Sequence, residues 1–134
     1  EIGTGSGYQT ALLALVADTV FSVERIQSLA SEARTALEGA GIRNVTVLVG
    51  DGTLGWRLFA PYDAILVAAA SPSVPAPLIE QLAPGGRLVI PIGDRDSQVL
   101  QLLQRNGDRI VTTSLGDVRF VPLLGELGFR PSTS

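Results

Sequence analysis

The sequence predicts an α/β domain with a mostly parallel sheet, helices on both faces and an antiparallel hairpin at the C-terminal end. Three observations indicate this. Short apolar runs rich in β-branched residues alternate with helical patterns along most of the chain. A glycine-rich loop leads straight into the first helical pattern. Near the end, two β-like runs flank Asn106-Gly107-Asp108, and Asn-Gly is a strong hairpin signal.

Composition limits the kinds of protein that this chain can be. It has 134 residues, 46% of them hydrophobic, which suits a single domain over 1–134. Cys and His are absent, which excludes disulfides, thiolate nucleophiles and His-based triads, and we expect no metal site. The net charge is −3, all ten basic residues are Arg, and no basic run occurs, so nucleic acid is not an expected partner.

The ends and the hydropathy of the chain give two further expectations. No apolar run reaches the roughly 18 residues of a membrane span and no signal peptide is visible, so we expect a cytoplasmic protein without membrane contacts. The chain begins at Glu1 and contains no Met, so we expect it to be N-terminally incomplete.

The first element is a strand end, a tight loop and a helix start, in the segment EIGTGSGY. Gly3, Gly5 and Gly7 permit positive φ angles and leave bare backbone, so a ligand can approach the first N–H groups of the helix. The spacing is GxGxG, whereas dinucleotide loops have GxGxxG, and Tyr8 occupies the third glycine position. Glu1 would repel a diphosphate and favours a ligand with a cationic centre, such as S-adenosylmethionine.

The next elements form a βαβ pattern. The nearly continuous apolar helix over 8–17 is expected to be buried on more than one side. We predict a strand over 20–24, an amphipathic helix with apolar residues from Ile26 to Leu37 that ends at Gly39-Ala40-Gly41, and a strand over 45–49.

The remaining elements continue this alternation and then break it. After a loop with Trp56, we predict a buried strand over 62–68, a short helix through Leu82, a turn at 84–86 and a strand over 87–92. The hairpin strands are predicted over 99–104 and 109–114. Pro122 cannot donate to a ladder, so we expect 119–123 to leave the sheet, and 130–134 to be a frayed tail.

Three strand ends carry groups that suit an adenosine. The carboxyl ends of parallel strands share one crevice, which brings together the glycine loop, Glu24 and Asp51. Glu24 lies about 20 residues beyond the loop, where a carboxylate can accept both ribose hydroxyls. Asp51 can accept from the adenine amine, with Gly52 letting the base come close. The alternatives are solvated strand-end acids and an ordinary glycine-rich turn.

Four motifs resemble one family. EIGTGSGYQTA over 1–11, SVER over 22–25, GDG over 50–52 and RFVPL over 119–123 are similar to the protein-L-isoaspartate O-methyltransferases, which have a Rossmann-like class I methyltransferase sheet. The resemblance covers nearly the whole chain, and GTGSGYQTA and RFVPL are its most specific parts. It implies transfer of a methyl group from S-adenosyl-L-methionine to L-isoaspartyl carboxylates, a protein-repair reaction whose partners are isoaspartyl proteins and peptides.

The resemblance also implies the roles of individual residues. The implied cofactor-binding residues are Glu1, Gly3, Thr4, Gly5, Ser6, Gly7, Glu24, Arg25, Asp51 and Gly52. The implied substrate-binding residues are Ala70, Val121, Pro122 and Leu123. Members of the family carry an upstream Thr-Ile-Ser-Gln-Pro-like segment whose serine contacts the substrate carboxylate; this sequence does not contain it, so no catalytic residue is assigned. With little of the first strand present, we expect a monomer or a strand-exchanged oligomer.

Several alternatives stay open at this stage. A related class I carboxyl methyltransferase could modify an aspartate in a natural-product peptide, and a non-catalytic adenosine-binding fragment would show the same cofactor motifs. Trp56 could cover the adenosine or pack in its loop. The backbone of 119–123, around Pro122, could hold a peptide by main-chain pairing, or Phe120, Val121 and Leu123 could cap the core, and both could hold at once.

Overall fold

The structure is a computed structural model that describes residues 1–131. Its elements alternate along the first part of the chain and end in a hairpin, as predicted. The helices are α1 (Tyr8–Val16), α2 (Gln27–Gly39) and α3 (Ala76–Glu80). The strands are β1 (Val20–Glu24), β2 (Val45–Val49), β3 (Tyr62–Leu66), β4 (Leu82–Gly93), β5 (Gln98–Asn106) and β6 (Arg109–Val118). Single 3₁₀ turns cover Gly52–Leu54 and Arg57–Phe59.

Residues 1–3 join two groups of strands into one sheet. Strand β1 pairs in parallel with β2, and β3 with β4, whereas β4, β5 and β6 are antiparallel neighbours. Ile2 forms parallel bridges to Val23 and Val67. Its N–H donates to the Leu66 carbonyl over 2.8 Å, and the Gly3 N–H donates to the Val23 carbonyl over 2.9 Å. The predicted α/β class, with a mixed sheet and a C-terminal hairpin, is confirmed.

Apolar clusters lie on both faces of the sheet. Strand β2 shows this best, because Val47 packs with Ala30 and Leu37 of α2 while the next residue, Leu48, packs against a larger cluster. The larger cluster contains residues from β1, β3, α3, β4 and β5 and from the segments on either side of them. Its buried members are Ile2, Val23, Ile65, Val67, Ala69, Leu78, Leu82, Leu88, Ile90, Leu103 and Leu123. Helices therefore cover both faces.

The burial of α1 differs from the prediction. The helix was expected to be buried on more than one side, and that expectation is wrong. Thr10 is its only buried residue, whereas Leu12, Leu15 and Val16 are 47%, 78% and 83% exposed. Ala11, Leu13 and Ala14 are half-buried, and Ala11 packs against the cluster that contains Ala30. The helix therefore contacts the rest of residues 1–131 with one face and leaves Leu12, Leu15 and Val16 exposed.

Several element boundaries also differ. Helix α3 ends at Glu80, not Leu82, and β4 already begins at Leu82 and passes through the expected turn at 84–86. Strand β4 can include residues 84–86 because β3 pairs first with Leu82 and then, after a register shift, with Arg87. Both hairpin strands are longer than predicted. Of the predicted frayed tail, 132–134 lie outside the described residues, and the Arg130 carbonyl accepts a hydrogen bond from the Arg95 side chain.

The described part of the chain holds no helix that is both long enough and apolar enough to cross a membrane.

Candidate functional site

The glycine loop adopts the backbone conformation that its spacing predicts. Gly3, Gly5 and Gly7 have φ angles of 94°, 54° and 87°, which side chains with a Cβ rarely adopt. A Cβ on Gly5 would have no atom within 4 Å, so open space adjoins this part of the loop. The loop therefore offers bare backbone to a ligand just before α1.

Glu24 lies against this loop at the end of β1. Its side chain is buried, and its Oε1 accepts the Gly5 N–H over 3.0 Å while Oε2 accepts the Ile26 N–H over 2.8 Å. Each carboxylate oxygen can accept two hydrogen bonds, so each keeps one acceptor position. Ser6, which follows Gly5, and Arg25, which follows Glu24, were also predicted for the site, and both are exposed.

The Glu1 carboxylate belongs to a network of side-chain hydroxyls. Ser22 donates to its Oε1 over 2.6 Å, Thr10 donates to the same oxygen, and Gln9 donates to Oε2 over 3.0 Å. The hydroxyls of Thr4 and Ser22 are 2.6 Å apart. The network fastens the loop to β1 and α1.

Thr10 and Ser22 were not predicted from the sequence as part of the site. Both are fully buried. The available signal was a single hydroxyl residue inside an otherwise apolar strand or helix, because a buried hydroxyl needs a partner.

Asp51 follows β2 and is held by two segments. Its Oδ1 accepts the Thr53 N–H over 2.9 Å and the Thr53 hydroxyl over 2.6 Å, and its Oδ2 accepts the Glu126 N–H over 2.9 Å. Burial by itself would raise the pKa of Asp51. The hydrogen bonds from Glu126 and Thr53, with the charge of Arg25, outweigh it and hold that pKa below its usual range.

Gly52 has a packing role that was not predicted from the sequence. A Cβ at this position would lie 2.4 Å from Cγ2 of Ile2. The absence of a side chain therefore lets Ile2 enter the sheet between β1 and β3.

The structure brings the three predicted strand ends together. The Gly5 N–H bonds to Glu24, the Gly50 N–H donates to the Glu24 carbonyl over 3.0 Å, and Ile2 packs on Gly52. The glycine loop, Glu24 and Asp51 thus occupy neighbouring positions at one edge of the sheet.

The predicted substrate residues also lie together in the structure. We define Val121-Pro122-Leu123 as the VPL run. The Ala70 N–H donates to the Val121 carbonyl over 2.8 Å, and the Leu123 N–H donates to the Ala70 carbonyl over 2.7 Å. The run leaves strand β6, as expected, because β6 ends at Val118, and it then forms an isolated parallel bridge to Ala70. Pro122 is tolerated because its neighbours make both bonds.

The VPL run is mixed in its exposure. Val121 is 70% exposed, whereas Leu123 is 6% exposed and belongs to the larger cluster. The core-capping interpretation therefore holds for Leu123, and Val121 stays available at the surface.

Trp56 packs in the fold. Its ring adjoins Gly50, where a Cβ would lie 3.2 Å from Cζ3, and it packs against the larger cluster. With the stacked rings of Phe21 and Phe59 it lines a cleft of about 530 Å³ between β1 and β3. These contacts agree with the packing interpretation.

Solved structures place the chain in a class of protein. A solved protein-L-isoaspartate O-methyltransferase is 34% identical, with a TM-score of 0.86, over 95% of this chain and 42% of its own. A candidate protein-L-isoaspartate O-methyltransferase from Plasmodium falciparum, solved with S-adenosyl-L-homocysteine, is 27% identical, with a TM-score of 0.79, over 92% of this chain and 63% of its own. The fold is that of the class I S-adenosylmethionine-dependent methyltransferases.

The family follows from the sequence comparisons. The family model described as protein-L-isoaspartate(D-aspartate) O-methyltransferase (PCMT) matches residues 1–128. The protein-L-isoaspartate O-methyltransferase of Dictyoglomus thermophilum is 55% identical over 130 residues, which are 97% of this chain. The chain belongs to the protein-L-isoaspartate(D-aspartate) O-methyltransferase family. It spans 59% of the length of the Dictyoglomus relative.

Proposed function

We propose that this protein transfers a methyl group from S-adenosyl-L-methionine to the carboxylate of L-isoaspartyl residues in damaged proteins. The observation that carries the proposal is the match of the family model to residues 1–128. The substrates would be isoaspartyl-containing proteins and peptides. A cytoplasmic location, the oligomeric state and the single-domain organisation stay predictions.

The site has the groups that this cofactor needs. Open space adjoins Gly5, and the two free acceptor positions of Glu24 match the two hydroxyls of a ribose. Both acceptor positions of Asp51 Oδ1 are filled by Thr53, so Oδ2 keeps the one position that the adenine amine would use. Glu1, Gly3, Thr4, Ser6, Gly7, Arg25 and Gly52 complete the proposed binding region.

The reaction suits a chain without His or Cys. S-adenosyl-L-methionine, when bound, supplies an activated methyl group. A substrate carboxylate with a pKa near 4 is already ionised at neutral pH, so no residue has to remove a proton. The residues of this chain therefore bind and orient the two reactants, and proximity provides the acceleration.

We place the peptide beside the VPL run. In a parallel bridge, the carbonyl of the central residue points away from the partner strand, which leaves the Pro122 carbonyl as an acceptor next to the exposed Val121 side chain. The carbonyl of Leu123 accepts the Phe129 N–H over 2.8 Å and is already occupied. Contact through one carbonyl and one aliphatic side chain would tolerate varied peptide sequences, as a repair enzyme requires.

A methylation assay with paired peptides tests the activity. The protein is incubated with S-adenosyl-L-methionine and an isoaspartyl peptide, or with the same peptide carrying ordinary aspartate, and base-labile methyl ester is measured. We expect ester on the isoaspartyl peptide only. Equal ester on the aspartyl peptide would instead indicate a general carboxyl methyltransferase, and cofactor binding without ester on either peptide would indicate a non-catalytic binding module.

A binding experiment tests the cofactor site separately. We expect Glu24→Gln to weaken S-adenosylhomocysteine binding by about 1–3 kcal/mol in calorimetry, because the amide that replaces the carboxylate has only one acceptor oxygen. Glu32→Gln is the matched control, since Glu32 is exposed on α2. NAD should not bind, because Glu1 and Tyr8 oppose a diphosphate. Tight NAD binding, or equal affinity in Glu24→Gln and wild type, would contradict the assignment.

A further inference from the structure

The residue after Gly52 links the cofactor side of the molecule to its C-terminal segment. Thr53 is fully buried. Its hydroxyl donates to Asp51 Oδ1 over 2.6 Å and accepts the N–H of Leu127 over 3.2 Å. Because the Glu126 N–H also reaches Asp51, two consecutive amides of one turn are held by neighbouring side chains of another segment. We call residues 125–128 the C-terminal turn.

Two glycines allow this turn to lie directly on Asp51 and Thr53. A Cβ on Gly125 would lie 2.1 Å from Asp51 Oδ1 and 2.8 Å from Thr53 Cγ2. A Cβ on Gly128 would lie 2.3 Å from the Leu123 carbonyl oxygen and 3.2 Å from Thr53 Cγ2. The turn therefore touches the Asp51–Thr53 pair on one side and the VPL run on the other.

We propose that Thr53 is a positioning residue that couples cofactor binding at Asp51 to the placement of the VPL run. The inference rests on the proposed function, in which Asp51 receives the adenine. Thr53 fills both acceptor positions of Oδ1, so the carboxylate has one rotamer and one open position, on Oδ2. The Glu126 N–H bonds to that same oxygen, so the docked turn and the bound cofactor share one fixed group. Cofactor binding then stabilises the docked turn, and the docked turn favours cofactor binding.

Two substitutions at residue 53, one that removes the hydroxyl and one that keeps it, test the coupling. We expect Thr53→Val to raise the Kd for S-adenosylhomocysteine about tenfold, within the usual range for coupled sites. Thr53→Ser should stay within about twofold of wild type, because it keeps the hydroxyl. Thr113→Val, at an exposed threonine of β6, is the matched control and should leave the Kd unchanged.

A second variant addresses the chance that Thr53→Val disturbs folding. Gly125→Ala keeps Asp51 and Thr53 but forces the turn away from them, and it should weaken S-adenosylhomocysteine binding to a similar degree. Amide hydrogen exchange gives a readout that packing alone would not move. In wild type, S-adenosylhomocysteine should increase the protection of the Glu126 and Leu127 amides, and this increase should be absent in both variants.

The outcomes separate the two proposals. If Thr53→Val and Gly125→Ala bind S-adenosylhomocysteine as tightly as wild type does, the coupling is overturned and the proposed function stands. The same holds if the Glu126 and Leu127 amides of wild type gain no protection when the ligand binds. If Thr53→Ser loses as much affinity as Thr53→Val, keeping the hydroxyl does not keep the affinity, and the positioning role of the hydroxyl is overturned. If wild type does not bind S-adenosylhomocysteine, the proposed cofactor site fails and the coupling fails with it.

Discussion

Among single residues, Asp51 combines a structural and a proposed binding role, and both need the same charge state. The hydrogen bonds from Thr53 and Glu126 are made to the ionised carboxylate, and the adenine amine would bond to it as well. Hydrogen bonding to the charged form lowers a pKa. The hydrogen bond from Glu126 of the C-terminal turn is therefore one of the causes of the lowered pKa of Asp51, together with the hydrogen bonds from Thr53.

This lowered pKa predicts how stability changes with pH. A carboxylate whose folded-state pKa lies below its unfolded value stabilises the fold above the unfolded pKa, near 3.9, and loses that effect as pH falls through the folded pKa. We expect wild type to melt at a higher temperature than Asp51→Asn at pH 7, and the difference to shrink below about pH 4. Melting temperatures of both proteins from pH 3 to pH 7 measure this.

Asp63→Asn is a suitable control for the pH series. Asp63 is exposed on β3, and its replacement should shift the melting temperature little at any pH in the range. A difference between wild type and Asp51→Asn that stays constant from pH 3 to pH 7 would show that the carboxylate charge does not contribute.

Among the elements, the VPL run shows why exposure must be considered residue by residue. Its two ends are at opposite extremes of burial, although both pair with Ala70. In the proposed function, the exposed Val121 would contact the peptide, whereas the buried Leu123 anchors the run in the core.

Paired substitutions in the VPL run separate these two roles. We expect Val121→Asp to reduce the methylation of an isoaspartyl peptide while the melting temperature and the S-adenosylhomocysteine affinity stay nearly unchanged. Leu123→Ala should instead destabilise the fold by about 2–5 kcal/mol, because it opens a cavity in the larger cluster. Denaturant unfolding and peptide kinetics are measured on both variants. Loss of stability in Val121→Asp equal to that in Leu123→Ala would assign Val121 to the core.

For the molecule as a whole, the features that could be predicted from the sequence are those that depend on short stretches of neighbouring residues. Glycine spacing, an acid at each strand end and the Asn-Gly turn each act through a few neighbouring residues, so the loop conformation, the positions of Glu24 and Asp51, and the hairpin could be predicted. The parallel alternation could be predicted because β-branched runs and helical spacing differ in period.

The contacts that the sequence did not predict join distant parts of the chain. The hydrogen bonds that the Glu126 and Leu127 amides donate to Asp51 and Thr53 connect residues 75 and 74 positions apart, and no local pattern encodes them. The wrong expectation for α1 has a similar cause. An apolar composition shows that a helix tends to be buried, but only the tertiary arrangement shows how many of its sides are covered.

The arrangement of the two clusters leads to a prediction about the entire sheet. The β1–β2 pair packs with α2 on a small cluster around Ala30, Leu37 and Val47, and it adds Val23, with Leu48 packed nearby, to the larger cluster. Strand β4 adds three buried residues to the larger cluster, Leu82, Leu88 and Ile90. Segments with fewer buried apolar contacts open at lower free energy. We therefore expect the amides of β1 and β2 to exchange faster than those of β4 when the protein is free of ligand.

S-adenosylhomocysteine should reduce this difference, because every proposed cofactor contact lies in residues 1–52, on the less protected side. A ligand that binds the folded form stabilises it by mass action, and about 100 Kd of free ligand adds about 2.7 kcal/mol. Native-state hydrogen exchange, with and without ligand, should thus show slowing concentrated in β1 and β2, and Glu24→Gln should show less slowing at the same ligand concentration. Equal exchange in β1 and β4 without ligand would contradict the predicted division, and slowing spread evenly over β1 to β6 would contradict the proposed location of the cofactor.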